Sequence, residues 1–242
     1  MVNKKNSRLD FVNLNKRNSK SKRSAVLFSG GKDSCLALHL AKQDGYEIEF
    51  LLSVIPENFD SFMFHKPYLN LLKEQAKELG IKLIIEKTRG EKEKELIDLE
   101  SLIRKVRDKV DGVVAGGIAS NYQGGRIKKI CDKFELKFIA PLLGYESEDI
   151  WREILERGFK VILTKTACDG LGKEWIGKVI NKKEFEELKK LSDKYKFRLD
   201  FEGGEAESAV LFMPGFKREI KINFNIKSEG EHRNFIKRLR IL

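Results

Sequence analysis

The six residues Ser-Gly-Gly-Lys-Asp-Ser at positions 29–34 lie between an apolar run at 24–28 and a helical pattern that begins at Cys35. A strand that turns through two glycines into a helix forms an anion site. The glycines let the backbone approach a phosphate, and the helix end presents unpaired N–H groups. Lys32 adds a full positive charge and Ser34 a hydroxyl donor. The segment predicts a nucleotide-binding loop, the alternative being a glycine-rich turn that only begins a helix.

Two common phosphate loops are excluded by the spacing of these residues. The Walker A loop has a glycine at the position of Val26 and a Ser or Thr at the position of Asp33. A dinucleotide fingerprint needs Gly-x-Gly-x-x-Gly, which nothing after this strand supplies. The segment instead resembles the PP-loop of the N-type ATP pyrophosphatases. That family cleaves ATP between the α and β phosphates and transfers AMP to a substrate oxygen.

The PP-loop resemblance implies an ATP site made by the loop and by two glycines at a neighbouring strand end. Its residues are Ser29, Gly30, Gly31, Lys32, Asp33, Ser34, Gly116 and Gly117. We expect Mg²⁺ and Lys32 to neutralise the phosphate charge, with Asp33 as the oxygen ligand of the metal. The alternative role of Asp33 is that of a first-turn acid that offsets the helix dipole.

The formal net charge of +11 is concentrated at the N-terminus. Residues 1–23 hold eight Lys or Arg and one Asp, so the rest of the chain carries only +4. The segment is also rich in Asn and Ser, and we expect a basic, disordered tail over 1–23. Contact with nucleic acid is expected only through this tail, by way of phosphates, and a merely solvated tail is the alternative.

Composition also narrows the class of protein. A hydrophobic content of 41% is enough for a core. No apolar run approaches the roughly 20 residues of a membrane helix, and the polar N-terminus has no signal-like apolar segment, so we expect no membrane partner. The three cysteines Cys35, Cys131 and Cys168 are scattered. They predict a cytoplasmic protein without a disulfide framework or a cysteine zinc site.

Residues 24–140 alternate short apolar runs with helical periods. The candidate strands are 24–28, 47–54, 81–86, 112–115 and 136–139. The candidate helices between them are 34–43, 66–79, 92–109 and 124–134. This alternation predicts an α/β fold, a parallel sheet with helices on both faces and with ligands at the carboxyl ends of its strands. With the loop resemblance, it indicates a PP-loop ATP pyrophosphatase domain of the HUP, or adenine nucleotide alpha hydrolase-like, class.

Residues 141–242 have a different pattern. A helix at 147–157 leads to a strand at 160–164 and, after an irregular stretch, to a helix at 182–195. Alternating runs at 208–212 and 218–226 predict two antiparallel strands. We expect a smaller C-terminal α+β subdomain that folds over the nucleotide edge and leaves a cleft for the second substrate.

Four further segments resemble one branch of the PP-loop enzymes, the diphthine–ammonia ligases. Residues 116–126 are similar to its Gly-x-Ile-x-Ser-x-Tyr-Gln-x-x-Arg pattern, and 170–177 to its Gly-Leu-x-x-x-Trp-Leu-Gly pattern. Residues 202–208, Glu-Gly-Gly-Glu-Ala-Glu-Ser, are similar to its Glu-Gly-Gly-Glu-aromatic-Glu-Thr, and 61–65 to its Ser-x-Met-x-His. Together the matches cover the chain from Ser24 to about Glu219.

The resemblance implies ATP-dependent amidation of diphthine, a modified histidine on translation elongation factor 2. The diphthine carboxylate is activated as an acyl-adenylate with release of diphosphate, and ammonia then displaces AMP to give diphthamide. The implied partners are elongation factor 2 bearing diphthine, and ammonium. Three residues depart from the family pattern: Ala206 for an aromatic residue, Ser208 for Thr and Phe201 for Gly. Ala206 leaves a gap that widens the expected pocket.

The resemblance also implies two sets of site residues. The catalytic set is Lys32, Asp33, Glu202, Glu205 and Glu207. The substrate-binding set is His65, Ser120, Tyr122, Gln123, Arg126, Gly203, Gly204 and Ser208. Carboxylates around the Gly-Gly turn are expected to hold ammonium and, after it loses a proton, to orient ammonia toward the acyl carbon. A solvated acidic turn is the alternative.

Two other functions stay open at the level of sequence. A PP-loop enzyme that adenylates a tRNA base would fit the basic balance of the chain. Thiolating members usually need a cysteine pair, however, and Cys131 and Cys168 are single residues. Other tRNA ligases would leave the Glu-Gly-Gly-Glu segment unexplained. A non-catalytic ATP-binding protein on the same fold would bind ATP without producing AMP.

Overall fold

The computed structural model describes residues 22–56, 68–88, 94–116 and 121–242, without the side chains at positions 56, 94 and 121–123. The expected basic tail therefore lies outside the described residues, apart from Lys22 and Arg23. These two residues open the first strand, which begins two positions before its predicted start. Among the described helices, none has the length and apolar character needed to cross a membrane.

The N-terminal half forms a five-stranded parallel sheet. Its strands are β1 (Lys22–Leu27), β2 (Tyr46–Pro56), β3 (Lys82–Thr88), β4 (Gly112–Val114) and β5 (Lys137–Ile139). Their order is β3-β2-β1-β4-β5, and every neighbouring pair is parallel. Since β1 is central, the loop that follows it lies at the carboxyl edge, where the chain reverses direction across the sheet and where ligands bind in such folds.

Helices cover both faces of this sheet. They are α1 (Lys32–Gln43), α2 (Leu69–Leu79), α3 (Lys94–Arg104) and α4 (Asn121–Lys133). The alternation of side chains along β1 separates two cores. Val26 belongs to the core that contains α1 and α2, whereas Ala25 belongs to the core that contains α3 and α4. The predicted α/β architecture is confirmed.

The C-terminal half forms a second, antiparallel sheet with two helices. Its elements are α5 (Ser147–Glu156), β6 (Lys160–Ala167), α6 (Lys182–Tyr195), β7 (Ala206–Phe212), β8 (Ile222–Glu229) and β9 (Arg233–Ile241). The strand order is β7-β6-β9-β8. The expected α+β character of this half is confirmed, and its core is continuous with the first: Leu36 of α1, Trp151 of α5 and Val210 of β7 share one cluster.

The structure differs from the sequence-based prediction in three elements. Strand β9 was not predicted, although in its outer half Leu239 and Ile241 alternate with exposed arginines. The two strands predicted at 208–212 and 218–226 run antiparallel but occupy opposite edges of the sheet, with β6 and β9 between them. The predicted helix 92–109 is divided, since α3 ends at Arg104 and a separate 3-10 turn follows at Arg107–Lys109.

Gly116 permits the close contact between the end of β4 and the start of α1. A Cβ atom at this position would lie 2.4 Å from the carbonyl oxygen of Asp33 and 2.7 Å from the nitrogen of Ser34. Both of those atoms are backbone, so no side-chain rotation would relieve the overlap. The small residue therefore sets the distance between the sheet and the first turn of α1.

We expect Gly116→Ala to lower the free energy of unfolding by about 1–3 kcal/mol, because overpacking forces the backbone apart. Gly125→Ala is the matched control, since no heavy atom of the described residues lies within 4 Å of its Cβ position on α4. That variant should raise stability by about 0.5–1 kcal/mol, the usual gain from replacing a helical glycine. Urea denaturation measures both, and equal midpoints for wild type and Gly116→Ala would contradict the argument.

Candidate active site

The loop between β1 and α1 is braced by its own two serines. The hydroxyls of Ser29 and Ser34 lie 3.1 Å apart, and Ser34 Oγ donates to the carbonyl of Gly31 at 3.1 Å. Ser29 Oγ accepts the N–H of Gly31 at 3.3 Å. Gly31, the N-cap residue of α1, provides no side-chain cap. A helix N-terminus of this kind forms an anion site, although the Lys32 N–H in its first turn is taken by the Ser208 hydroxyl.

Gln75, a residue that the sequence analysis missed, fastens this loop to the C-terminal sheet. Its Nε2 donates to the carbonyls of Gly30 at 2.9 Å and of Val210 at 2.8 Å. The Val210 N–H also donates to the Gly30 carbonyl at 3.0 Å. Gly30 has φ +74°, and a Cβ there would lie 2.1 Å from Gln75 Oε1, so only glycine fits. The sequence feature that could have identified Gln75 is its position as a polar residue on the helix face that also carries the buried Leu72 and Ala76.

Ser208 brings β7 into contact with the start of α1. Its Oγ accepts the backbone N–H of Lys32 at 3.1 Å, and its carbonyl oxygen lies 3.2 Å from the Cβ position of Gly31. A residue predicted to bind substrate is therefore part of the loop's own framework. The hydroxyl that Ser208 shares with the family's Thr is the atom that makes this bond.

Lys32 is the buried charge of the site, only 1% exposed. Its Nζ donates to both carboxylate oxygens of Asp33, at 3.0 and 2.8 Å, and to the backbone carbonyl of Asp200 at 2.7 Å. The ring of Phe201 lies 5.5 Å from Nζ. A buried ammonium is tolerated only when oxygen atoms surround it in this way.

The segment that crosses over Lys32 is fixed by the carboxylate of Asp200. Arg198 donates to both of its oxygens, Oδ1 at 2.9 Å and Oδ2 at 2.5 Å, and Ser147 Oγ donates to Oδ2 at 3.1 Å. The Glu202 N–H donates to Oδ1 at 3.0 Å. Burial opposes ionisation, but these hydrogen bonds and the Arg198 charge outweigh it and hold the pKa of Asp200 below its ordinary value.

Phe201 follows in a left-handed conformation, with φ +63°. This backbone region costs a bulky residue of order 1–3 kcal/mol, so the surrounding packing must enforce it. The Phe201 ring packs edge-on against Trp151 at 6.1 Å and lies 6.4 Å from the ring of Phe197. The position where the family pattern has Gly is thus held by an aromatic cluster that closes over Lys32.

The acidic turn that begins at Glu202 divides its three carboxylates between two environments. Glu202 and Glu207 line the cavity in front of the loop, as do the intervening Gly203 and Gly204. Glu207 also pairs with Lys165 at 2.8 Å. Glu205 is not among the residues that line the cavity.

Glu205 instead holds the chain segment that precedes the turn. Its Oε1 accepts the backbone N–H of Arg198 at 3.2 Å, and its own carbonyl accepts the N–H of Ala167 at 2.7 Å. These described hydrogen bonds of Glu205 are with backbone groups. Its expected catalytic role stays a prediction.

Two cavities meet at the N-terminus of α1. The first, of about 440 Å³, is bounded by the loop, by apolar residues such as Leu52, and by β7. The second, of about 820 Å³, lies against the N-terminus of α5 and the chain segment 197–202. Four residues line both cavities: Asp33, Gly116, Asp200 and Glu202. One group bound in the first cavity and another in the second would meet beside Asp33.

Comparison with known proteins decides the family. A family model described as Diphthamide synthase N-terminal domain matches residues 22–138, and one described as Diphthamide synthase C-terminal domain matches residues 146–240. The chain belongs to the diphthamide synthase family. The mouse (Mus musculus) protein named diphthine–ammonia ligase is 31% identical over 222 residues, which cover 83% of each chain.

Other relatives of the same name span a wide range of organisms. The human (Homo sapiens) protein is 28% identical over 223 residues, with 83% of each chain covered. The Schizosaccharomyces pombe protein is 30% identical over 212 residues, which cover 80% of this chain and 35% of that one. This diphthamide synthase family member is accordingly an enzyme, a ligase of the PP-loop ATP pyrophosphatase superfamily that uses ATP.

Some of the expected site residues of this family member lie outside what the structure describes. His65, Gly117 and Ser120 lie outside the described residues, and Tyr122 and Gln123 are described only as backbone of α4. Arg126 is half-buried on the same helix, next to Ile127, which lines the first cavity. The ATP-binding role of Gly117 and the substrate-binding roles of the other five residues stay predictions.

The three cysteines of the chain are poorly suited to act as nucleophiles. Burial raises the pKa of the Cys35 thiol, and burial together with Asp132 raises the pKa of Cys131 to about 12. Burial, Glu205 and Asp169 raise the pKa of Cys168 to about 11. Thiols of this kind carry little thiolate at neutral pH, which supports a chemistry that does not use sulfur.

We expect Cys168 in the folded protein to react with iodoacetamide at pH 8 about 100-fold more slowly than in the urea-unfolded chain. The reason is that its pKa of about 11 exceeds the ordinary value of 9.0 by two units, each a tenfold change in thiolate. Mass spectrometry of timed samples measures the rate. Labelling of Cys168 as fast in the folded as in the unfolded chain would contradict the burial argument.

Proposed function

We propose that this enzyme amidates diphthine on translation elongation factor 2, using ATP and ammonia, through an acyl-adenylate. The products are diphthamide, AMP and diphosphate. The observation that carries the proposal is the phosphate loop held against β7, in a chain whose family membership extends over both halves. The same two halves contribute Lys32 and Ser208 to one hydrogen-bonded site.

The first cavity supplies what an ATP molecule needs. The loop N–H groups and the Lys32 ammonium provide positive charge for the phosphates, and apolar side chains such as Leu52 and Leu99 provide a surface for the base. Lys32 is already aimed at the cavity by its bond to Asp200. An ATP phosphate oxygen would replace the Asp33 carboxylate as the anionic partner of the ammonium.

Asp33 fits the role of a magnesium ligand. Its side chain is 23% exposed and lines both cavities. The described residues contain no group of three or more acidic, His or Cys side chains that could hold a metal. Mg²⁺ is commonly bound by one or two carboxylates together with substrate phosphates, so Asp33 and ATP suffice. When bound, the ion would stabilise the negative charge that develops on the leaving diphosphate.

The second cavity is the place that we propose for the acceptor. It is larger than the first, it is open along the exposed Leu143, and it reaches Asp33 and Gly116 at its inner end. A side chain carried by a protein can enter such a cavity while ATP fills the first. Its carboxylate oxygen would attack the α phosphorus, diphosphate would leave, and ammonia would then displace AMP from the acyl carbon.

Glu202 and Glu207 are the carboxylates that we propose to handle ammonia. Both line the first cavity, and Glu202 also lines the second, where the acyl group would lie. A carboxylate at this place binds ammonium by charge and hydrogen bonds. It then accepts a proton, which converts ammonium to nucleophilic ammonia. Glu207 is held by Lys165, which orients it.

The function is tested by product release. With Mg-ATP, ammonium and diphthine-bearing elongation factor 2, we expect AMP and diphosphate to appear. The mass of the factor should also fall slightly, because a carboxylic acid is converted to its amide. Lys32→Ala should lower the rate of AMP formation by about 10²–10³, the usual cost of one positioned charge at a reacting centre. AMP formed only with tRNA would indicate a base-modifying enzyme, and no AMP with either substrate would indicate a non-catalytic ATP-binding protein.

Glu207→Gln and Glu205→Gln form a matched pair of variants on the same turn. We expect Glu207→Gln to slow amide formation by about 10²–10³ while ATP binding is kept, because Glu207 lines the cavity in which ammonia is proposed to bind. Glu205→Gln should keep most of the rate and instead lower thermal stability, since its carboxylate holds the Arg198 backbone. Rapid-quench kinetics with ammonium separates the two steps. Larger loss of amide formation in Glu205→Gln would reverse the assignment.

A further inference from the structure

We propose that Asp200 is a positioning residue, whose carboxylate fixes the backbone carbonyl that keeps the Lys32 ammonium aimed at the nucleotide. The inference rests on the proposed function in one respect only, namely that Lys32 binds the phosphates of ATP. Asp200 belongs to no motif of the sequence analysis, and it acts through Lys32 rather than on the substrates.

The bond from the Lys32 ammonium to Asp200 joins this side chain to a distant part of the chain. Its length is 2.7 Å, and 168 residues separate the two partners. The other partner of the ammonium is the carboxylate of the adjacent Asp33. If Asp33 turns toward Mg²⁺, the Asp200 carbonyl remains as the protein oxygen that holds the ammonium in place.

A backbone carbonyl keeps its direction only when its peptide is fixed, and the Asp200 carboxylate provides that restraint. It accepts four hydrogen bonds: two from the Arg198 guanidinium, one from Ser147 at the start of α5, and one from the Glu202 N–H. The carboxylate is only 13% exposed. The Asp200 carboxylate thereby links the segment to Ser147 at the start of α5 and, through the Glu202 N–H, to the turn that follows.

The next restraint is Glu205, which accepts the N–H of Arg198. Arg198 is therefore held by its backbone, while its side chain holds Asp200. Phe201, in its left-handed conformation, places its ring beside the Lys32 ammonium. A chain of contacts thus runs from the half-buried Glu205 through Arg198 and Asp200 to the Lys32 ammonium.

The decisive experiment is a double-mutant cycle between Asp200→Asn and Lys32→Ala. We expect Asp200→Asn to weaken ATP binding about 10-fold and to lower kcat about 10-fold. The substitution removes the charged partner of Arg198, so the Asp200 backbone carbonyl is held less firmly. In the Lys32→Ala background, Asp200→Asn should have no further effect on either quantity. Titration calorimetry with ATP, with and without Mg²⁺, gives the binding readout independently of turnover.

Glu100→Gln is the matched control. Glu100 likewise accepts hydrogen bonds from two cations, Arg104 at 2.8 Å and Lys133 at 2.7 Å, and its side chain is 23% exposed on α3. We expect this variant to leave ATP binding and kcat unchanged. A 10-fold loss in Asp200→Asn that persists undiminished in the Lys32→Ala background would overturn the proposal. A loss of thermal stability with unchanged ATP binding would do the same.

A second measurement separates this inference from the proposed function. Acetic anhydride labels lysine amines at rates that depend on their hydrogen bonds and exposure, and mass spectrometry resolves Lys32 from other sites. We expect Asp200→Asn to raise the labelling rate of Lys32 about 10-fold, and Glu100→Gln to leave it unchanged. This result would stand even if the enzyme formed no AMP. An unchanged Lys32 rate in Asp200→Asn would overturn the inference, whatever the activity.

Discussion

The carbonyl oxygen of Gly30 accepts hydrogen bonds from Gln75 on α2 and from Val210 on β7, and the site depends on this double contact. A phosphate loop on its own is flexible, because its glycines have many conformations available. Here the loop is tied to the C-terminal sheet at Gly30 and again at the Lys32 N–H, which bonds to Ser208. The two halves of the chain therefore build one site rather than two neighbouring ones.

The second constraint is electrostatic. A lysine that is 1% exposed needs oxygen partners from the protein, and Asp33 and Asp200 supply them. Removing one partner from a buried ion pair is costly, because the remaining charge stays desolvated. Replacing Asp33 alone would therefore leave the Lys32 charge with the uncharged carbonyl of Asp200 as its described hydrogen-bond partner.

The sequence was most informative where local chemistry determines local structure. The strands and helices of the first domain follow from periodicity, and the loop at 29–34 follows from its two glycines and its lysine. Gln75 and Asp200 could not be found in this way. Gln75 donates to the backbone carbonyl of Gly30, 45 positions away, and the backbone carbonyl of Asp200 accepts from the side chain of Lys32, 168 positions away. Only the tertiary fold creates these pairings. β9 was missed for another reason, since its alternating Leu239 and Ile241 lie among the charged residues Lys237, Arg238 and Arg240.

The segment from Glu202 to Ser208 illustrates how a motif combines roles that look equivalent in sequence. Side chains along a regular strand alternate in direction, so residues two positions apart share a face. Glu205 and Glu207 are two positions apart, but Glu205 precedes β7, which begins at Ala206, so this rule does not extend to it. Glu202 precedes the Gly-Gly turn and Glu207 lies on β7, and both line the first cavity. Glu205 lies between them and contacts the Arg198 backbone. Three glutamates that look equivalent in the motif therefore differ in the structure: two line a cavity, whereas the third holds the segment over Lys32.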